Sequence, residues 1–92
     1  MSNYIDQPAQ AKRLNYGQCQ ALKVLVADKM GLKSLHVDDA QKMMRGDSVH
    51  PIVFASVERQ ATLAHNEFAG DAEKVAQANR VGLILLAEYG LT

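Results

Sequence analysis

Apolar side chains recur three and four residues apart along most of this chain, which is the period of an α-helix. The clearest seam is Phe54, Val57, Ala61, Ala64 and Phe68, spaced three, four, three and four. Leu22, Leu25 and Val26 form a second stripe over roughly 18–30. Val24 widens that stripe, so the pattern predicts a largely buried helix. Val37, Ala40 and Met44 mark a short helix over 37–45. Ala72, Val75, Ala76, Leu83, Leu86 and Ala87 are expected to line the inner face of a last helix, with Asn79 on the same face. Ahead of these, Asp6-Gln7-Pro8 reads as a helix start, because proline in a first turn forfeits no hydrogen bond. That helix is expected to reach about Tyr16, with Gly17 as a break or bend.

Two stretches compete as strands, 52–57 and 81–86. The first belongs to a seam much longer than a strand. In the second, leucine and alanine outnumber β-branched residues, so both are assigned to helix.

The helix ends carry their own signals. Met30-Gly31-Leu32 and Tyr89-Gly90-Leu91 each place glycine where a chain can turn left-handed, followed by a leucine that can pack back. Gly46 stops the short helix, and Asp47 to Pro51 reads as a turn into the next. Gly70 breaks the chain before Asp71, a good N-cap. Asp38 and Asp39 lie at the positive end of the short helix, with Lys42 and Arg45 at its negative end, as the helix dipole favours. Short connections between these elements predict an all-α fold, a compact bundle of four to five short helices in one domain over 1–92.

Composition bounds the reading further. Hydrophobic residues make up 48% of the 92 residues and charged residues 22%, so a folded chain is expected, with room for one small core. A partner or second copy would add burial that so short a chain lacks. The net charge is zero. It is divided unevenly: residues 1–37 hold five basic and two acidic side chains, a surplus of +3, and 38–92 hold five basic and eight acidic, a deficit of −3. Cys19 is the only cysteine, which excludes an internal disulfide and a cysteine-based zinc site. The start of the chain lacks the basic and apolar regions of a signal peptide, and the run from Val81 to Ala87 is too short to span a bilayer. A cytoplasmic location with no membrane partner is the expectation.

The search for chemistry is mostly negative. No Gly-x-Gly-x-x-Gly, P-loop, nucleophile elbow or His-Glu-x-x-His occurs. His36, His50 and His65 lack the four-residue spacing of a helical metal site. His65-Asn66-Glu67 contains the His-x-Glu of zinc deaminases without the paired cysteines. Neither an enzyme nor a cofactor is expected.

One segment resembles a known motif. Over residues 23–43, Ala27 supplies a small residue, Gly31 follows four residues later, and Val26, Met30, Leu32, Val37 and Ala40 supply apolar positions. In this the chain resembles the helix-turn-helix of phage-repressor-type regulators. The resemblance implies DNA contacts from Lys33, Ser34, Lys42 and Arg45, and dimerisation through one of the last two helices. Lys23 stands where that family usually has glutamine, and Asp38 and Asp39 place carboxylates, which repel phosphates, on the reading helix.

The favoured expectation is therefore a non-catalytic regulatory or inhibitory protein that docks on a larger protein or nucleoprotein complex, as phage and plasmid inhibitors do by analogy. Lys12, Arg13, Lys23, Lys29 and Lys33 are its candidate contacts, facing an acidic partner or a nucleic-acid backbone. The helix-turn-helix regulator is the alternative, and a homodimer is compatible with either.

Overall fold

The computed structural model describes residues 14–92, which form four helices: α1 (Tyr16–Lys29), α2 (Val37–Met44), α3 (Pro51–Phe68) and α4 (Ala72–Glu88). No strand occurs among the described residues, so both competing stretches are helical and the all-α assignment holds. The helix expected from Asp6 lies almost wholly outside the described residues. Its expected end is corrected, because Tyr16 begins α1.

The start of α1 is fixed by a capping box. Asn15 Oδ1 accepts from the Gln18 backbone N–H at 2.7 Å, and Gln18 Oε1 accepts from the Asn15 N–H at 3.1 Å. Gly17 is thus the second residue of a helix and not a break. Its small size has a different use. A Cβ at Gly17 would lie 3.2 Å from Phe54 Cε2, a tight contact, so glycine eases the approach of α1 to the Phe54 ring of α3.

Helix α1 is the hub. Ala21, Leu22, Val24, Leu25, Val26 and Ala27 are all buried. At about 100° per residue these six point to every side of the helix, as in a helix enclosed by others. The other three helices all pack on α1, whereas α3 meets α2 and α4 only briefly, and α2 and α4 do not meet. Gln18 Nε2 donates to the Met44 carbonyl at 3.0 Å, so the end of α2 returns to the start of α1. The largest fully buried side chains come from all four helices: Leu22, Val24 and Val26, Met44, Val57, and Leu86. No polar or charged residue is buried among the described residues.

On α3 the expected seam holds, with Val57, Ala61, Ala64 and Phe68 buried and Phe54 half-buried. On α4 the expected inner face holds at Leu86 and Val75 and is corrected elsewhere. Ala72, Ala76, Asn79 and Ala87 are exposed, while Ala78, Gly82, Leu85 and Leu86 are buried. The true face follows two small residues four apart, Ala78 and Gly82, where helices can come close. Counting apolar side chains alone turned the face away from Gly82.

Three helices end alike. The Leu32 N–H donates to the Ala27 carbonyl at 2.9 Å and the Gly31 N–H to the Asp28 carbonyl at 3.1 Å. The same pair of bonds recurs at Gly46 and Gly90. This is the Schellman ending, with glycine in the left-handed region at φ 96° for Gly31. An L side chain there clashes with the backbone. Gly31→Ala is expected to cost about 1–2 kcal/mol in urea unfolding. Gly70→Ala, at a glycine without positive φ and with open space around it, is the comparison and should change little. Equal midpoints for the two variants would contradict the assignment.

Candidate interaction surface

Because α3 rests chiefly on α1, its flanks are left open, and hollows lie along both. The first is a groove of about 190 Å³ between α1, the α1–α2 turn and the second half of α3. Buried Val24, Ala27 and Ala64 form its base, with Leu32 and Leu63 beside them. Lys33, Ser34, Gln60 and Glu67 supply its polar edge. Small-molecule pockets usually begin near 300 Å³, so this groove is sized for one apolar side chain.

On the other flank of α3, Lys23 and His65 line a hollow with Tyr16 and Gln20. A third hollow lies where the start of α1 meets the α2–α3 connection, lined by Tyr16, Gly17, Met43, Val49 and Phe54.

Large apolar side chains also stand in solvent. Leu35 is 90% exposed, Ile52 71%, Ile84 60% and Leu63 57%. Two of them stand near arginine. Ile52 and Arg59 are seven residues apart on α3, on the face opposite the buried seam. Arg80 and Ile84 are four apart on the exposed side of α4.

The sequence-predicted residues scatter. Lys12 and Arg13 lie outside the described residues. Lys23 lines the flank beside His65, Lys29 is exposed in the last turn of α1, and Lys33 edges the groove. Lys23 and Lys33 thus lie on opposite flanks of α3. Of the residues assigned to DNA, Lys33 and Ser34 precede α2, while Lys42 and Arg45 lie at its far end, roughly 12 Å of helix apart. Ser34 already has a local task, since its Oγ accepts from the His36 N–H at 3.2 Å. Asp39 pairs with His36, Oδ2 to Nδ1 at 3.2 Å, while its neighbour Asp38 is exposed.

Two of the histidines stand at helix starts. His50 Nδ1 accepts from the Ile52 N–H at 3.1 Å and so caps α3, which requires the ring proton on Nε2. His36 occupies the N-cap position of α2. No three His, Cys, Asp or Glu side chains gather as a metal site among the described residues. Cys19 is half-buried on α1 and packs against the core. No helix among the described residues is long and apolar enough to cross a membrane.

The residues missed by sequence reasoning are the apolar ones: Leu35, Ile52, Leu63 and Ile84. A signal was present for two of them. Ile52 and Leu63 are eleven residues apart, three helical turns, and fall opposite the seam that starts at Phe54.

Compared with known proteins, the chain matches no family model, no curated sequence and no solved structure.

One tertiary contact is titratable. The Tyr16 hydroxyl donates to Glu58 Oε2, and the Tyr16 ring stacks on Phe54 with centroids 6.1 Å apart. The hydrogen bond to Glu58 raises the Tyr16 pKa above the usual 10.0, with smaller contributions from burial and from the negative charge of Glu58. A pKa higher in the folded than in the unfolded chain means that this stabilisation is complete below pH 10 and lost as pH rises through the folded-state value. Ultraviolet titration should show a tyrosine ionising above the ordinary range, absent in Tyr16→Phe and lowered in Glu58→Ala. Unchanged titration in both variants would contradict the contact.

Proposed function

We propose that this chain is a non-catalytic regulatory or inhibitory protein that docks on a larger protein or nucleoprotein complex. The observation that carries the reading is the pairing of an exposed isoleucine with an exposed arginine on two outer helices, Ile52 with Arg59 and Ile84 with Arg80. Aliphatic and guanidinium groups together are the chemistry of protein interface cores, where arginine is enriched and lysine is depleted. An isolated exposed aliphatic residue is ordinary; here one shares the outward face of its helix with an arginine on both α3 and α4. The partner that fits is a protein surface with apolar hollows edged by carboxylates, because a guanidinium binds a carboxylate through two parallel hydrogen bonds. Arg59 and Arg80 join Lys12, Arg13, Lys23, Lys29 and Lys33 as candidate charged contacts of this reading.

The second reading is the helix-turn-helix regulator. It draws support from the left-handed turn at Gly31 and from buried Ala27 on α1. Against it stand the seven residues from Met30 to His36 between α1 and α2, where such motifs use three to four. The start of the recognition helix, which touches bases in that family, here carries Asp38 and Asp39.

Affinity capture from native-host extract, with mass spectrometry, separates the readings when wild type and the double variant Ile52→Asp, Arg59→Glu are run together. Both sites are exposed, so the variant should fold as wild type does, checked by circular dichroism. A partner enriched by wild type should be lost by the variant, with affinity reduced about 30-fold or more for a hot-spot arginine. The same partners held equally by both proteins would sink the proposed surface. Sequence-discriminating gel shifts on promoter DNA would favour the regulator instead.

A further inference from the structure

The groove beside the α1–α2 turn differs from the docking faces above, because a protruding group lies next to it. Leu32, Lys33 and Ser34 line the groove, and the next residue, Leu35, is the most exposed large apolar side chain described, at 90%. A cavity sized for one side chain and a leucine left exposed among the described residues thus share one short turn. The groove edge is also mixed in charge. Lys33 from the turn and Glu67 from the end of α3 both line it, and no ion pair joins them among the described residues.

We propose that a second copy of this chain covers this face, each copy inserting its Leu35 into the groove of the other. A two-fold axis brings residue i of one copy to residue j of the other and j to i, so a projection beside a hollow is self-complementary. The same operation sets Lys33 of each copy against Glu67 of the other. A partner of uniform charge would leave one of these two groups opposed by a like charge, whereas a second copy satisfies both. The pairing also supplies apolar burial that a chain of 92 residues has little room to provide internally. It leaves the start of α3 open: Ile52 and Glu67 are fifteen residues apart, roughly 22 Å along the helix. The Ile52–Arg59 face therefore remains available in a dimer, which would present it twice.

An interface built on one inserted leucine per copy is at the small end of the range, so the dimer should be weak, with Kd between about 10 µM and about 1 mM. Sedimentation velocity from about 1 µM to about 1 mM is expected to show mass rising from monomer to dimer. Leu35→Glu should weaken the dimer at least tenfold with no change in helical circular dichroism, since the side chain is in solvent in the single copy. Lys33→Glu and Glu67→Lys should each weaken it, and the two together should restore it. That recovery is what a merely unfolded variant cannot show. A monomer throughout the concentration range would overturn the proposal. So would a Leu35→Glu protein that dimerises as tightly as wild type, or a double swap no better than its singles. None of these outcomes bears on capture of a larger partner.

Discussion

Everything in this fold depends on the enclosure of one helix. Residues 21–27 of α1 put apolar side chains on all sides, so α1 is stable only when surrounded. The other three helices do this by packing on α1 much more than on one another. The consequence reaches the surface. Helices that share a hub but few mutual contacts leave hollows between them, and three such hollows adjoin α1 here. Outer helices buried on one side have a second face to spend, and on α3 and α4 that face carries isoleucine and arginine. The same constraint that makes the core thus makes the exposed apolar surface on which the functional reading rests.

Much of this was legible in the sequence. Glycine followed by leucine marked the ends of α1 and α4, because the left-handed turn and the apolar residue after it are local requirements. The α3 seam was legible because five apolar residues at helical spacing leave only one way to bury a helix. The start of α1 could have been read and was not: Asn15 and Gln18 are the first and last residues of a capping box. Gly17 masks it, because glycine near a helix start resembles a break, whereas here it gives room to the Phe54 ring. The buried face of α4 was displaced for a related reason. Its buried face includes Ala78 and Gly82, two residues with little side-chain bulk, to which a count of apolar residues is blind.

The candidate surface was less legible. Of the lysines chosen from charge, Lys23 and Lys33 line hollows on opposite flanks of α3. Charge along a sequence carries no direction in space. Exposure of Leu35 depends on the path of a turn, and exposure of Ile84 depends on what lies opposite α4; neither is a local property. What the fold adds is an arrangement in which charged and apolar groups alternate at the surface while the core remains wholly non-polar. The two faces proposed here, one toward a larger partner and one toward a second copy, do not share residues at their centres.

The central claim is that α1 organises the rest, and native-state hydrogen exchange tests it most directly. Amides open locally at a range of free energies up to that of global unfolding, and the most enclosed element reaches the upper limit. The amides of residues 21–27 should be the slowest in the chain and should exchange only through global unfolding, while those of α3 and α4 open earlier. Slower exchange in α3 or α4 than in α1, or local opening of α1 with the other helices intact, would contradict the account.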